Sequence, residues 1–226
     1  MNITFQTLNV TGYKEKPVPN TLLKQTQPTS HAAIILPGLG YTAQMPLLFY
    51  VAELLIAQQA DVLQVNYNYL DAFRGLDSAA KHRWLATDST AAYRVLVAQH
   101  PYTHLTLVGK SLGTQAMAHL LTTQIFPAHT SALWLTPVLT NPGVREQMTA
   151  FAGPSLVVIG DVDPFYDPGI LTAIGETPTR RFAIIEGADH GMSVGGDVFR
   201  SLQALEGTIR AIADSLDGFY LPFAIF

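Results

Sequence analysis

Six short apolar runs, separated by segments with helical periodicity, constrain the fold of this chain more than any other feature of its sequence. Each run is four to six residues long and rich in β-branched or aliphatic side chains, which is typical of buried parallel strands. The runs are residues 32–36, 62–67, 105–108, 132–135, 156–159 and 182–185. The helical segments are residues 45–59, 78–99, 112–123, 144–151, 166–174 and 198–216. This alternation predicts a doubly wound α/β sheet with helices on both faces.

The composition agrees with a sheet that is covered on both sides. Of 226 residues, 48% are hydrophobic and only 13% are charged, so much of the chain must be buried. A chain of this length suits one domain, which we expect to span residues 1–226. Two further strands are expected before the alternation, within residues 2–10 and 21–25, antiparallel to each other and joined by a loop at 12–20.

Charge, cysteine content and hydropathy exclude several classes of function. The net charge is -4 and there is no basic run, so we expect no nucleic-acid partner. Without cysteine, the chain has no disulfide, thiol nucleophile or thiolate metal site. No apolar stretch approaches the roughly 18 residues that a membrane span needs, and no signal peptide is recognisable. We therefore expect a cytoplasmic protein.

The C-terminal residues 218–226 form an apolar tail with four aromatic side chains and no charge. Exposed apolar surface on this scale seldom stays uncovered. The tail is expected to pack on its own domain, and the alternatives are a homodimer contact or a part of the pocket wall.

A serine follows the third apolar run, within the sequence G-K-S-L-G at residues 109–113. The pattern G-x-S-x-G between a strand and a helix is that of a nucleophile elbow. Such a turn strains the backbone of the serine and lifts its oxygen clear of the sheet. The flanking positions favour glycine because strand and helix approach closely there. Ser111 is therefore the candidate nucleophile.

Aspartates and a histidine follow Ser111 in the loops after later strands. The sequence G-D-V-D at residues 160–163 follows the run at 156–159, and His190 lies shortly after the run at 182–185. In open α/β sheets, sites form beyond the carboxyl ends of the strands, so these loops share one edge. The order Ser, Asp, His along the chain is that of the α/β-hydrolases.

Over residues 31–216 the chain resembles the α/β-hydrolase superfamily, in particular its small lidless esterases and dienelactone-hydrolase-like proteins. The resemblance implies an α/β-hydrolase fold with a mostly parallel sheet and without a sizeable cap domain. It also implies a catalytic triad of Ser111, Asp163 and His190, a small-molecule ester as substrate, and neither a metal nor a cofactor.

The chemistry explains why each of the three residue types is needed. A serine hydroxyl is a poor nucleophile until a base removes its proton, and His190 is the expected base and later acid. A carboxylate must hold the imidazole in the correct tautomer. Family members often show G-x-x-D at this place, which maps onto Asp163. Asp161 stays the alternative. Asp167 is expected to cap the next helix. Asp189 directly precedes His190, and adjacent side chains on an extended loop point in different directions.

The resemblance also assigns the oxyanion donors. In the family, one backbone N–H comes from a glycine-containing turn after the first central strand and one from the residue after the serine, which map onto Leu39 and Leu112. The chain departs from the family in having Pro37 where many members have histidine. Gly40 or Tyr41 are therefore alternatives to Leu39.

Lys110 is a second departure, since many members carry His, Gln, Glu, Tyr or Phe before the serine. We expect it to be a cation paired with a nearby acid. The alternative is that its charge biases the site toward anionic substrates.

Substrate recognition is expected from side chains at the same sheet edge. Only about twenty residues separate the runs at 132–135 and 156–159, enough for one short helix, so no lid is expected. The loop at 69–74 is the main candidate for recognition, and its Arg74 is expected to bind a carboxylate or to pair with Asp71 or Asp77. The candidate substrate residues are Tyr41, Tyr69, Arg74, Thr136, Phe165, Tyr166 and Met192.

Two phosphate-binding motifs are weaker alternatives. The sequence G-L-G-Y-T-A at 38–43 matches the dinucleotide fingerprint, but Asp61 stands at the wrong end of the next strand. A P-loop ending in Gly109-Lys110-Ser111 requires glycine where the chain has His104.

The sequence thus predicts a serine hydrolase that cleaves a carboxylic ester or thioester through an acyl-enzyme on Ser111. Within catalysis, the alternatives are an acyltransferase or a lactone or dienelactone hydrolase. A non-catalytic binding module of the same fold is the alternative outside catalysis, because fold does not determine function.

Overall fold

The structure is a computed structural model that describes residues 3–67 and 69–220. The strands are β1 Ile3–Gln6, β2 Asn20–Gln25, β3 His31–Leu36, β4 Asp61–Val65, β5 His104–Lys110, β6 His129–Leu135, β7 Ser155–Gly160 and β8 Arg180–Ile185. The helices are α1 Pro46–Ala57, α2 Ser78–Val97, α3 Leu112–Thr123, α4 Pro142–Ala150, α5 Pro168–Ile174 and α6 Val198–Tyr220, and Tyr13–Glu15 forms one 3-10 turn.

These strands form one sheet in the order β1-β2-β4-β3-β5-β6-β7-β8. β2 runs antiparallel to both of its neighbours, and β3 to β8 run parallel to one another. The predicted doubly wound, mostly parallel α/β sheet with an antiparallel N-terminal pair is confirmed.

Several predicted boundaries were wrong because apolar runs mark only the buried part of each strand. β6 begins at His129, three residues before the predicted run, since its polar first residues still pair with β5. The first strand ends at Gln6 instead of residue 10. α5 begins at Pro168 instead of residue 166, because the carboxylate of Asp167 accepts hydrogen bonds from the first turn.

The central strands are buried on both faces, and β3 shows how its sequence achieves this. Successive side chains of a strand point to opposite faces. Ile34 packs in a core cluster with α2 to α5, whereas its neighbour Ile35 packs with α1 and α6. A continuous apolar run is therefore needed where an exposed strand would alternate, which explains the high hydrophobic content.

The carboxyl edge of the parallel strands carries the loops of interest and has no cap domain over it. The segment between β6 and β7 holds one short helix, α4, as predicted from its length. Within the described ranges, no helix combines the length and apolar composition needed to cross a membrane. The predicted apolar tail starts inside α6, and its residues 221–226 lie outside the described part of the chain.

Three histidines lie side by side at the opposite, amino edge of the sheet. His31, His104 and His129 occupy one register on β3, β5 and β6, and the rings of His104 and His129 stack at 4.7 Å. His31 is buried and shares a hydrogen bond with Thr106. Burial lowers the pKa of His31 to about 4, against a hydrogen bond to the backbone of Gln58 that raises it.

This burial predicts an acid-sensitive fold. Between pH 6.5 and 4, His31 is protonated in the unfolded chain but stays neutral in the folded chain. The free energy of unfolding therefore decreases as the pH falls. The contribution is on the order of 2 kcal/mol between pH 7 and pH 4.5. Urea unfolding at both pH values should show that the free energy of unfolding decreases less in His31→Gln than in the wild type. An equal decrease in both proteins would show that His31 is not the cause of the acid sensitivity.

Candidate active site

Ser111 stands on a tight turn between β5 and α3. Its φ of 51° and ψ of -115° lie outside the regions that side chains ordinarily adopt, so the turn is strained. A Cβ on Gly113 would collide with the carbonyl oxygen of Leu36, and one on Gly109 would lie 2.7 Å from the carbonyl oxygen of Gly113. The two glycines of G-x-S-x-G are thus required by the close approach of strand and helix, as predicted.

The structure brings Ser111, His190 and Asp163 together from three separate loops. His190 Nε2 lies 2.7 Å from Ser111 Oγ, and His190 Nδ1 lies 2.7 Å from Asp163 Oδ2. The Asp163 side chain is fully buried, whereas 29% of the His190 side chain is exposed. An imidazole in this arrangement can take a proton from the hydroxyl while the carboxylate holds its other nitrogen protonated.

The loop after β7 holds the carboxylate of Asp163 in place. The backbone N–H of Phe165 donates to Asp163 Oδ1 at 2.8 Å, so the oxygen that does not face His190 also has a partner. The Phe165 ring packs edge-on against the imidazole, with centroids 5.1 Å apart. Phe165 and Tyr166, two of the predicted pocket residues, thus belong to this loop; Phe165 contacts His190, and Tyr166 packs against the core.

The other aspartates of these loops have local roles. Asp161 accepts a hydrogen bond from Gly187 N at 2.6 Å, which ties the loop after β7 to the loop after β8. Asp189 folds back onto its own loop and accepts from Gly191 N and Ser193 N. Among the described aspartates, only Asp163 contacts His190.

The turn after β3 lies directly against the serine. A Cβ on Gly38 would be 3.1 Å from Ser111 Cβ, and Tyr41 N donates back to Gly38 O at 3.3 Å. Tyr41 N–H is therefore used within the turn. In the part of the chain that the structure describes, the N–H groups of Leu39, Gly40 and Leu112 have no acceptor, so Gly40 stays the alternative to Leu39.

Tyr67 supports this turn, and the sequence analysis did not identify it. Its buried hydroxyl donates to the carbonyl oxygen of Pro37 at 3.3 Å. Its ring stacks on that of Tyr69 at 4.2 Å. The only available signal was a tyrosine at the end of a strand, which is common in cores, so the sequence alone gave little reason to single it out.

Tyr69 does not reach the site, which corrects its choice as a substrate residue. Its hydroxyl donates to Asp88 on α2 at 2.7 Å, and its ring stacks on Phe73 at 4.4 Å inside the core. Leu70 instead borders the turn after β3, because its Cδ1 lies 3.2 Å from the position of a Cβ on Gly40. Half of Leu70 is exposed.

Arg74 points into solvent at the far end of the same loop. Its side chain is 83% exposed and pairs with Asp71 at 3.2 Å, which is one of the predicted alternatives. Such an exposed pair contributes little to stability. Among the described contacts of Arg74, its side-chain partner is Asp71, so no contact holds the guanidinium near Ser111.

Thr136 and Lys110 lie beneath the site instead of lining it. Thr136 is fully buried with a φ of 43°, and its hydroxyl accepts a hydrogen bond from Lys110 Nζ at 3.2 Å. Lys110 is 1% exposed. In residues 3–67 and 69–220 no ion pair involves Lys110, so its expected pairing with a neighbouring acid was wrong.

A groove of about 580 Å³ lies between the turn after β3 and the loop that follows His190. Its lining includes Tyr41, Gly191 and Met192, together with Pro46 at the start of α1 and residues in the first turns of α6. Its apolar lining residues are Tyr41, Pro46, Met192, Val194, Val198, Leu202 and Leu205. Asp197 is the only charged lining residue, and the described side chains include no cluster of histidines and carboxylates suited to a metal ion.

Comparisons with known proteins agree with this architecture. A sequence profile described as "Alpha/beta hydrolase domain" matches residues 30–219, and a search of curated sequences found no match. An esterase from Pyrococcus furiosus is similar with a TM-score of 0.70 and 13% identity, covering 96% of this chain and 91% of that one. A dienelactone hydrolase from Anabaena variabilis has a TM-score of 0.67 and 16% identity, covering 96% and 99%. A lidless serine hydrolase from Xanthomonas campestris has a TM-score of 0.63 and 17% identity, covering 92% and 94%.

Proposed function

Because the chain belongs to the α/β-hydrolase family, we propose that it is a serine hydrolase that cleaves a carboxylic ester or thioester. The observation that carries the proposal is the continuous hydrogen-bonded chain from Ser111 Oγ through His190 to Asp163. Both distances, 2.7 Å from His190 Nε2 to Ser111 Oγ and 2.7 Å from His190 Nδ1 to Asp163 Oδ2, allow direct hydrogen bonds and so allow His190 to act as a general base. Structures similar to this chain include two esterases and a dienelactone hydrolase, which supports the same class of substrate.

The proposed reaction has two halves. In the first, Ser111 Oγ attacks the carbonyl carbon while its proton passes to His190 Nε2. The tetrahedral intermediate collapses, the C–O or C–S bond breaks, and His190 gives that proton to the leaving alcohol or thiol. In the second half, water attacks the acyl carbonyl carbon while one of its protons passes to His190. The bond between that carbon and Ser111 Oγ then breaks, His190 returns the proton to Oγ, and the carboxylic acid leaves.

Asp163 and two backbone amides complete the proposed machinery. The buried carboxylate keeps the proton on Nδ1, so Nε2 is free to accept, and it stabilises the imidazolium that forms. The N–H groups of Leu39 and Leu112 are the proposed donors to the developing oxyanion. Leu112 opens α3, where the free amides and the helix dipole favour negative charge. Losing one such donor costs roughly 3 kcal/mol of transition-state stabilisation.

The groove beside His190 suggests the kind of substrate. Its volume of about 580 Å³ is within the range of small-molecule sites, and its lining is mostly apolar. A neutral, flexible acyl chain fits such a lining better than a charged group. Each methylene that leaves water gains about 0.8 kcal/mol. We therefore propose a medium-chain ester as a better substrate than an acetate.

A bulky side chain in the groove is expected to weaken this preference. At Gly195, an exposed lining residue, a Cβ meets nothing within 4 Å, so Gly195→Phe adds a large side chain at the groove without a backbone clash. We expect the ratio of kcat/KM for p-nitrophenyl octanoate to that for the acetate to fall about tenfold. Gly207→Phe, at an equally open glycine on α6, is the matched control. A ratio unchanged in both variants would reject the groove as the acyl site.

The hydrolase proposal itself is tested with the purified protein and p-nitrophenyl acetate. A serine hydrolase releases p-nitrophenol and acetate with turnover, whereas a binding module of the same fold gives neither. Product analysis with added alcohols separates the nearest catalytic alternative, because an acyltransferase forms new esters in place of acetate. A preference for cyclic esters would instead identify a lactone hydrolase.

A further inference from the structure

Lys110 is a buried cation whose ammonium group touches three loops of the candidate active site. It ends β5 directly before Ser111 and is 1% exposed. Its Nζ donates to the backbone carbonyl oxygen of His190 at 2.9 Å and to Thr136 Oγ1 at 3.2 Å. The same Nζ lies 4.3 Å from the centre of the Tyr41 ring.

These contacts differ from the ion pair that the sequence suggested for Lys110. Its acceptors are a carbonyl and a hydroxyl, not a carboxylate, so it is not one half of an ion pair. Because the side chain is almost completely buried, its ammonium group does not contact a substrate in the groove directly. Burying an ammonium is costly unless hydrogen bonds and nearby charges compensate, so its position beside the proposed nucleophile needs a reason.

The contacts of Nζ connect the parts of the site that must keep a fixed distance. Thr136 follows β6 and is held with a positive φ, and Tyr41 belongs to the turn after β3. The Tyr41 hydroxyl in turn accepts from Leu47 N in α1 at 3.1 Å. His190 lies on the loop after β8, eighty residues away from Lys110 along the chain.

The other backbone contacts that tie the loop of His190 to its neighbour involve the residues just before it: Gly187 N donates to Asp161 Oδ1, and Val162 N donates to Ala188 O. Asp189 folds the loop locally through Gly191 N and Ser193 N. The bond from Lys110 is the direct link between the His190 backbone and β5, the strand that ends at Lys110. It therefore ties the His190 backbone to the end of β5, directly before Ser111.

We propose that Lys110 is a positioning residue, whose ammonium holds the carbonyl of His190 and thereby keeps the imidazole of that residue on Ser111 Oγ. The inference rests on the proposed hydrolase function for its effect on turnover. Burial lowers the pKa of Lys110 to about 8, against the charges of Asp163 and Asp189 that raise it, so the ammonium is protonated at pH 7.

Two substitutions separate the hydrogen bond from the packing. Lys110→Met keeps a long unbranched side chain but removes the donor, and Lys110→Gln keeps a neutral donor on a shorter chain. Arg180→Met is the matched control. Arg180 is another buried cation, 4% exposed, that donates to four backbone carbonyls, but it stands at the start of β8, at the amino edge of the sheet.

With p-nitrophenyl acetate, we expect kcat to fall at least about tenfold in Lys110→Met while KM changes by no more than about twofold, since small misplacements of a base are costly. Lys110→Gln should recover part of kcat. Arg180→Met should lose thermal stability but keep kcat where it is folded. A folded Lys110→Met with kcat within twofold of the wild type would overturn the proposal, as would equal losses of kcat in the Lys110 and Arg180 variants.

A second readout does not depend on turnover. In NMR spectra of the wild type, the proton on His190 Nδ1 should be protected by its bond to Asp163 and resonate far downfield. We expect this signal to broaden or disappear in Lys110→Met and to persist in Arg180→Met. If the wild type hydrolyses no ester but the signal changes in this way, the positioning role stands and the hydrolase proposal fails. An unchanged signal in Lys110→Met would overturn the positioning role.

Discussion

Ser111→Ala is expected to lower the turnover of p-nitrophenyl acetate by roughly 10⁶-fold, close to the rate without enzyme. The loss is this large because no other group can form the acyl-enzyme when Oγ is absent. The fold should persist, since alanine can occupy the same turn and the Ser111 side chain caps no helix. We expect the free energy of unfolding to change by less than about 0.5 kcal/mol.

Steady-state kinetics and urea unfolding on the same preparations test this result. Ser30→Ala is the matched control, because Ser30 is exposed and precedes β3 at the opposite edge of the sheet. Its turnover should match the wild type. A Ser111→Ala protein that is folded and retains more than about one per cent of the wild-type kcat would reject Ser111 as the nucleophile.

Asp163→Asn is expected to lower kcat by about 10⁴-fold with the site otherwise intact. An asparagine amide can donate to Nδ1 of His190 and so favours the tautomer with the proton on Nε2. That nitrogen then faces Ser111 Oγ as a donor and cannot accept the hydroxyl proton. The effect comes from one proton on the wrong nitrogen, so KM should change far less than kcat.

Asp161→Asn is the control two residues away. Asp161 accepts a single hydrogen bond from Gly187 N, and an asparagine oxygen can accept the same bond. We expect kcat to stay within a few fold of the wild type. If Asp161→Asn shows the large loss and Asp163→Asn does not, the carboxylate has been misassigned.

The parts of the site that the sequence predicted are those in which chemistry fixes both residue type and order. Glycines at 109 and 113 are required by the close approach of strand and helix, and parallel strands deliver the loops of Asp163 and His190 to the same edge. The apolar runs predicted the sheet because both faces are buried. None of this depended on contacts between distant side chains.

Distant contacts decided what the sequence could not predict. Tyr69 turns into the core because Asp88, nineteen residues further along, accepts its hydroxyl, and this leaves Leu70 beside the turn after β3. Lys110 donates to the backbone carbonyl of a residue eighty positions away, and every residue type has a backbone carbonyl. A pattern of residue types carries no information about such a bond.

The most direct measurement is peptide mapping by mass spectrometry after reaction with a fluorophosphonate, which reacts with serines that are activated by a neighbouring base. We expect one adduct, on Ser111, with labelling lost in Ser111→Ala and strongly slowed in His190→Ala. An adduct on a different residue, or no adduct in a preparation that turns over p-nitrophenyl acetate, would contradict the assignment of Ser111 and His190 as nucleophile and base.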